Sequence, residues 1–147
     1  MTAGPVLETP RLILRPTRAE DLDGYVELMS DDDHVRFIGG AAPPSTVWRQ
    51  MMTVAGAWAL QGFAFFSVIE KESGRWVGRL GPWEPHGWPG HEIGWSILKS
   101  EAGKGYVTEG SATFCDAMLS GAMQWITSSQ PSVSKAQSIA AAEPSVT

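Results

Sequence analysis

The most constraining feature of the sequence is a loop with two glycines between a predicted strand and a predicted helix. Residues 92–98 are rich in aromatic and aliphatic side chains, which is typical of a strand, whereas residues 107–118 show helical periodicity. Gly103 and Gly105 lie between these elements. The first N–H groups of a helix have no partner within it, and glycines let an anion approach the backbone closely. The loop therefore predicts a phosphate or pyrophosphate site, with an ordinary tight turn as the alternative.

The residues around these glycines exclude two better-known phosphate loops. Thr108 occupies the place of the third glycine in the dinucleotide-binding pattern. A P-loop would need Ser or Thr after Lys104, where the sequence has Gly105. The spacing alone does not identify the anion, although Lys104 adds a positive charge.

The order of the other predicted elements indicates a mixed fold. A strand at residues 11–15 precedes a helix that begins with the capping-box residues Thr17 and Glu20. A second helix follows, with Ser45 or Thr46 as its N-cap, and three strands then precede the glycine loop. We expect an α/β (α+β) fold with a central, mostly antiparallel sheet flanked by helices. Further expected features are core residues Trp48 and Trp58, a helix end at Gly62, strands at 63–70 and 75–80, an ordered loop at 81–90, a strand at 125–127 and a helix at 137–140.

Length and composition predict one globular domain over residues 1–147. Hydrophobic residues make up 43% and charged residues 18%, which excludes a disordered chain. A net charge of −5 argues against a nucleic-acid partner, and no apolar run reaches the roughly 20 residues of a membrane span. The single cysteine excludes an internal disulfide and fits a reducing compartment. Since residues 1–9 do not form a secretory signal, we expect a cytoplasmic protein.

Two separate segments carry a resemblance to a known family. The first is Glu-Thr-Pro-Arg-Leu-Ile-Leu-Arg-Pro at residues 8–16. The second is Glu-Ile-Gly-Trp-Ser-Ile-Leu at residues 92–98, followed by Gly-Lys-Gly-Tyr-Val-Thr-Glu-Gly at residues 103–110. In this order they resemble the GNAT superfamily, and within it the ribosomal-protein N-acetyltransferase-like branch. The resemblance is good over residues 8–118 and loose over residues 119–147.

The resemblance implies acetyl transfer from acetyl-coenzyme A to an amine, with acetyl-CoA as co-substrate. In such proteins the strand before the loop binds the pantetheine arm through its backbone, and the loop binds the pyrophosphate. The family commonly has Arg or Gln at the position of Ser100, so this sequence lacks one side-chain contact. The implied cofactor-binding residues are Ile97, Leu98, Ala102, Gly103, Lys104, Gly105 and Tyr106.

The candidates for acid–base chemistry lie at the start of the same strand. An amine attacks a thioester only after it loses its proton, so a base is needed. Family members use an acidic residue or a water near the position of Glu92, which makes Glu92 the first candidate; a surface ion pair is the alternative. His91 is the second candidate and is also assigned to the acceptor site, although a loop histidine is usually just solvated. His86 and His91 lack a neighbouring cysteine, so we expect no metal site.

Aromatic residues of the loop indicate where the acceptor binds. Flat rings suit a cationic amine, so Trp83 and Trp88 are candidates for substrate binding, with packing of the Pro/Gly-rich loop as the alternative. In the family the connection at residues 31–45 commonly lines the acceptor site, and its acidic run could attract an amine. Cys115 has no histidine partner nearby and is expected to be a small buried residue.

The C-terminal part departs from the family pattern. The family has an Asn and a hydroxyl-bearing residue that can protonate the leaving thiolate, but these positions fall on Val133 and Ala136. Ser134 and Ser138 are the nearest substitutes and the candidate catalytic acids. The family's last β-hairpin is also missing, and an exposed sheet edge favours a partner. We expect a shortened and weakly active relative, a sheet completed in a homodimer, or a divergent and partly disordered segment at 120–147.

Three functions follow from these observations. The first is an N-acetyltransferase that acts on a small-molecule or peptide amine by direct attack. The second is a catalytically weak or inactive CoA-binding or dimeric interaction protein of the same fold. The third is an unrelated phosphate-binding α/β protein. Protein N-termini, amino acids, polyamines and amine drugs all remain open as acceptors.

Overall fold

The fold is built on a five-stranded antiparallel sheet. The computed structural model describes residues 4–30, 42–84, 87 and 92–120. Each strand pairs with the next one in the chain, so that sheet order follows sequence order. The strands are β1 (Leu7–Glu8), β2 (Leu12–Arg15), β3 (Phe66–Glu70), β4 (Trp76–Trp83) and β5 (Glu92–Ile97).

Helices connect and cover this sheet. The described ranges contain α1 (Leu22–Met29), α2 (Pro44–Gln61) and α3 (Tyr106–Leu119). Short 3-10 turns at Ala19–Asp21 and Lys99–Glu101 precede α1 and α3. The predicted fold class is confirmed, whereas the strand at 125–127 and the helix at 137–140 lie outside the described residues. No helix in the described part of the chain is long and apolar enough to cross a membrane.

Side chains alternate between two hydrophobic cores because successive strand residues point to opposite faces. On β2, Leu14 joins the core that contacts α3, whereas Ile13 packs against the core under α1. On β3, Val68 and Ile69 divide in the same way. The first core includes Leu12, Phe66, Leu80, Phe114 and Met118, and the second includes Tyr25, Leu28, Met51, Trp76 and Leu98.

β4 is longer than the sequence predicts. We expect it to end before residue 81, but it continues to Trp83. Proline is tolerated in a strand only where its missing N–H is not needed. Pro82 meets this condition opposite Ile93, at a position between the hydrogen-bonded pairs of the β4–β5 ladder. The extension places Trp83 on the sheet instead of in a loop.

The cap predicted for the first helical turn involves different residues. Asp21, and not Glu20, reaches back, and its Oδ2 accepts a hydrogen bond from the N–H of Arg18 (2.8 Å). Asp21 also pairs with Arg15 (2.8 Å). A buried carboxylate is stable only when several donors surround it. Asp21 has such donors in Arg15 and Arg18, which explains why Asp21 is the capping carboxylate. The Thr17 hydroxyl does not form the predicted cap and is buried beside the hydroxyl of Tyr25.

α2 begins earlier than predicted and ends where predicted. Its first residue is Pro44, ahead of the expected caps at residues 45 and 46. The fixed φ of proline and its missing N–H suit the first position of a helix. Gly62 follows the last helical residue, with φ of 84°.

The two tryptophans of α2 have different environments. Trp58 is buried and donates its Nε1–H to the carbonyl of Phe65 (2.9 Å), so its prediction as a core residue is confirmed. Trp48 is 49% exposed, so the same prediction is wrong for Trp48. Helical spacing alone does not distinguish the inner edge of an apolar stripe from its outer edge.

Gly78 marks a close approach between β4 and β5, and its replacement tests this packing. A Cβ at Gly78 would lie 2.4 Å from the backbone oxygen of Ser96 and 2.9 Å from the Cα of Ile97. We expect Gly78→Ala to lower the free energy of unfolding by about 1–3 kcal/mol, because the strands must separate. In α2, a Cβ at Gly56 meets no described atom within 4 Å. Gly56→Ala should therefore raise the same quantity by about 0.5–1 kcal/mol. Urea unfolding measures the free energy of unfolding of both variants. An unchanged value for Gly78→Ala would contradict the close approach of β4 and β5.

Candidate active site

The glycine loop and the N-terminus of α3 have the shape expected of an anion site. Gly103 (φ 83°) and Gly105 (φ 78°) both adopt the left-handed conformation, which residues with a side chain rarely adopt. The N–H of Glu109 donates to the carbonyl of Gly105 (3.1 Å), which is the first bond of the helical ladder. The N–H groups before it therefore have no acceptor within the helix and lie at its positive end.

A carboxylate in the first turn of α3 fixes this N-terminus to the start of β2. Glu109 accepts hydrogen bonds from the Thr9 hydroxyl, from the N–H of Arg11 (3.0 Å) and from Nε of Arg11 (2.7 Å). Burial raises the pKa of Glu109, but the hydrogen bonds from Thr9 and Arg11 together outweigh burial and leave the pKa below its usual value. The two segments that carry the family resemblance are thus in direct contact.

The Tyr106 side chain forms its polar and aromatic contacts with other residues of the protein. It is buried, and its hydroxyl donates to the carboxylate of Glu70 at the end of β3. This hydrogen bond raises the pKa of Tyr106 to about 12 and lowers the pKa of Glu70. The Arg11 guanidinium lies 4.6 Å from the centre of the Tyr106 ring. Of the groups of Tyr106, the backbone N–H is therefore the one placed to contact an anion.

Lys104 offers less free charge than the sequence suggests. Its ammonium pairs with Glu101, a residue that is only 5% exposed, and this hydrogen bond raises the pKa of Lys104. Glu101 also pairs with Arg75 (3.2 Å), which in turn donates to Oγ of Ser100 (3.3 Å). The loop would therefore hold an anion chiefly through its backbone N–H groups.

The outer edge of β5 has no strand partner among the described residues. β5 lies at the end of the sheet order and pairs with β4. Leu98 donates its N–H to Val77 (2.8 Å) and accepts from the N–H of Glu101 (2.8 Å), so both its backbone groups are used within the protein. Because backbone groups alternate in direction along a strand, those of Ile97 and Trp95 point to the outer edge. The geometry favours Ile97 over Leu98 as the backbone contact.

One face of the β4–β5 pair brings two of the predicted site residues together. Glu92 is exposed at the start of β5 and lies directly opposite Trp83 of β4. Trp83 stacks on Phe65, with ring centres 4.9 Å apart and an interplanar angle of 14°. Gly94 lies beside Phe65, since a Cβ there would be 3.1 Å from the ring. A carboxylate and an aromatic surface thus share this face.

Other predicted residues are not part of this arrangement. Cys115 is buried, as expected, and burial raises its pKa, which keeps the thiol uncharged. Within the described ranges no group of three or more His, Cys, Asp or Glu is placed to hold a metal ion. The assigned roles stay predictions for the candidates outside the described residues, which are His86, Trp88, His91, Ser134 and Ser138.

Sequence reasoning missed Arg79, which lies on the same face as Glu92. It occupies β4 directly opposite Ser96 of β5. Its guanidinium lies 4.8 Å from the ring centre of Phe65 and 5.8 Å from that of Tyr25. Arg79 is the single charged residue of β4, and this interruption of an apolar strand was the signal available in the sequence.

Glu109→Gln tests the connection between α3 and β2. We expect the free energy of unfolding at pH 7 to fall by about 1–3 kcal/mol, because hydrogen bonds to a charged acceptor are the stronger ones. Since the folded pKa of Glu109 is lowered, its contribution is fully present above the unfolded pKa of about 4.3 and is lost as the pH falls through the folded pKa. The measurement is urea unfolding of both proteins between about pH 3 and pH 8.

The control for this experiment is Glu20→Gln. The Glu20 side chain is 66% exposed, so its replacement should change the free energy of unfolding by less than about 0.5 kcal/mol. A difference between wild type and Glu109→Gln that does not change with pH would contradict the ionic contact.

Solved structures share this fold. An acetyltransferase from Agrobacterium tumefaciens superposes with a TM-score of 0.71 at 24% identity, over 80% of this chain and 68% of its own. A GNAT-family acetyltransferase from Bacillus anthracis gives a TM-score of 0.68 at 22% identity, over 80% of this chain and 68% of its own. RimJ from Mycobacterium smegmatis, in complex with CoA-disulfide, gives a TM-score of 0.56 at 20% identity, over 80% of this chain and 62% of its own. At these identities the likeness shows the fold.

The sequence itself establishes the family. No curated protein matches the chain. The family model described as acetyltransferase (GNAT) domain matches residues 11–142. This match spans most of the 147 residues and includes β2, β5, the glycine loop and α3. The chain therefore belongs to the GNAT acetyltransferase family.

Proposed function

We propose that this protein transfers an acetyl group from acetyl-CoA to a primary amine. The observation that carries the proposal is the junction of β5 and α3, where two left-handed glycines precede a helix N-terminus next to a strand edge that no described strand covers. RimJ of Mycobacterium smegmatis, which shares the fold, is described in complex with CoA-disulfide. The same comparison is compatible with a ribosomal-protein N-acetyltransferase-like branch, which we propose as the finer relationship.

The described residues fit acetyl-CoA at this junction. A Cβ at Gly103 would meet no described atom within 4 Å, so the loop is open on that side. The indole N–H of Trp95 on β5 is buried without a hydrogen-bond partner among the described residues. An unsatisfied buried donor is costly, and a bound ligand is one way to satisfy it. The loop N–H groups would hold the pyrophosphate, and the outward backbone groups of Ile97 and Trp95 would hold the pantetheine arm.

The chemistry required of the protein is modest, since a thioester is already an activated acyl group. The amine nitrogen forms a bond to the acetyl carbon, and the carbon–sulfur bond breaks with its electrons on sulfur. In this proposal Glu92 accepts the proton of the amine, directly or through a water. Ser134 or Ser138 is the candidate that returns a proton to the thiolate. The aromatic surface of Trp83 and Phe65 lines the path of the acceptor.

A binding protein of the same fold is the second candidate. It is favoured by Val133 and Ala136, which replace the two residues that the family uses at the thiolate. In either case the outer edge of β5 would be covered by residues 121–147 or by a second copy of the chain in a homodimer. The single cysteine and the acidic composition favour a cytoplasmic location for both.

Acetyl-CoA binding by the loop is tested with Gly103→Val. A valine at φ of 83° is strained and displaces the N–H groups of the loop, so we expect calorimetric titration to show at least a tenfold weaker affinity. Gly74→Val is the matched control because Gly74 also has a positive φ, of 72°, with no described atom near its Cβ. It lies in the β3–β4 turn, so it should bind acetyl-CoA like the wild type. Equal affinities of the two variants, or equal loss, would contradict the loop as the site.

The role of Glu92 is tested by release of free thiol with a panel of amines. We expect Glu92→Gln to lower kcat by about 10²–10⁴-fold, the usual contribution of a general base, without weakening acetyl-CoA binding. Glu72→Gln, at an exposed turn residue, should keep the wild-type kcat. An unchanged kcat in Glu92→Gln would mean that Glu92 is not the general base. Acetyl-CoA binding by the wild type without turnover of any amine would favour the binding protein.

A further inference from the structure

The guanidinium of Arg79 is the strongest feature that the proposed chemistry leaves unused. It lies on the α1 side of the sheet, in contact with the rings of Phe65 and Tyr25. Its Nε is buried and has no hydrogen-bond partner among the described residues, and the Tyr25 hydroxyl lies near enough to the guanidinium to interact with it. Flat contact with aromatic rings orients an arginine but leaves its N–H edge unsatisfied.

Two other arginines in or next to the sheet have carboxylate partners. Arg15 pairs with Asp21 (2.8 Å), and Arg75 pairs with Glu101 (3.2 Å). The Asp21 carboxylate also accepts from the Ser67 hydroxyl (2.7 Å), so its capacity is largely used. A guanidinium that is partly removed from water is stable only when an anion accompanies it. A ligand can supply that anion where the described residues do not.

A phenol lies beside Arg79. The Tyr25 hydroxyl is fully buried, and its polar neighbours are the Thr17 hydroxyl and the Arg79 guanidinium. Burial raises the pKa of Tyr25, and the nearby charge of Arg79 acts in the opposite direction. Tyr25 and Phe65 thus position the guanidinium, whose buried Nε has no partner among the described residues and is a donor suited to an anion.

We propose that Arg79 binds a carboxylate of the acceptor, so that the preferred substrates are amines that also carry a carboxylate, such as free amino acids. This inference rests on the proposed function and names the substrate class of the same site. A carboxylate suits the planar fork of a guanidinium, which can donate two parallel hydrogen bonds to it.

The placement of Arg79 relative to Glu92 fits such an acceptor. Arg79 lies opposite Ser96 and Glu92 lies opposite Trp83, so the two charged residues share a face four residues apart. This spacing separates their Cα atoms by about 13 Å along the strands. The Arg79 guanidinium lies 4.8 Å from the ring centre of Phe65, and Phe65 stacks on Trp83, the residue opposite Glu92. A carboxylate held there leaves the amine of the same molecule on the side of Glu92.

The test compares amino acids with their carboxamides as acceptors. Each pair has the same side chain and differs in the negative charge. Because the α-amine of the amide is also the weaker base, kcat/KM is expressed for the unprotonated amine of each acceptor. With the wild type we expect kcat/KM to be about 10–100-fold higher for the amino acid, the range of a charge-assisted hydrogen-bonded pair. Arg79→Gln should remove this preference by lowering kcat/KM for the amino acid while leaving that for the amide. Arg79→Lys, which keeps the charge without the fork, should keep part of the preference.

Matched measurements separate this role from a structural one. Arg49→Gln removes the same charge from an exposed position of α2 and should keep the full preference. Acetyl-CoA affinity without acceptor should be the same in wild type and Arg79→Gln. If Arg79→Gln fails to fold, as circular dichroism would show, the comparison of wild type with Arg79→Lys decides the question in the same way.

Three outcomes would overturn the inference. Equal kcat/KM for amino acids and amides with the wild type would remove acidic amines as the preferred class. An equal loss for both acceptors in the Arg79 variants would assign the residue a structural role. Weaker acetyl-CoA binding without acceptor would assign Arg79 to the coenzyme. Each of these leaves the proposed acetyl transfer intact, whereas the absence of turnover with every amine would overturn that function and this inference with it.

Discussion

The contact between Glu109 and the Thr9–Arg11 segment is the interaction on which the candidate site depends. It joins the beginning of β2 to the first turn of α3, and therefore fixes the direction of the helix N–H groups beside the glycine loop. Hydrogen bonds to charged groups contribute about 1.5–3 kcal/mol each, within a domain stability of only about 5–15 kcal/mol. The second connection, from Tyr106 to Glu70, holds the same helix end to β3. Two independent contacts thus orient one turn of helix.

The order of the elements could be predicted from the sequence because it depends on local periodicity and on turn residues. Helical spacing predicts that Trp58 of α2 is buried, but it does not show that Trp48 lies at the exposed edge of the same apolar stripe. Features that depend on a neighbouring strand could not be predicted. β4 passes through Pro82 because the register with β5 leaves that position without a ladder bond, and a register is not visible in one strand. The burial of Asp21 depends in the same way on Arg15.

The same distinction applies to the candidate site, where local features could be predicted and features that depend on a neighbouring strand could not. The glycine loop is local, and its left-handed backbone at Gly103 and Gly105 is a conformation that glycine adopts without strain. Arg79 and Glu92 are different, since their relation comes from the pairing of β4 with β5 and from the distant Phe65. The sequence also suggests a free cation at Lys104, whereas Glu101 pairs with it in three dimensions. Charge in a motif therefore says little about charge available to a ligand.

Because Glu101 pairs with Lys104, backbone N–H groups would contribute more to binding of the coenzyme than the charge of Lys104. A net charge of −5 repels a polyanion at long range, and the Lys104–Glu101 pair removes the nearest mobile cation. What remains at the loop is a set of backbone dipoles, together with the guanidinium of Arg11, which is paired with Glu109 and lies beside Gly105. The backbone donors need no reordering of long side chains on binding, so the entropic cost is lower. Their strength also depends less on salt than that of an exposed lysine. In the proposed complex, the backbone path held by Glu109 and the two glycines would replace the missing side-chain contact at Ser100.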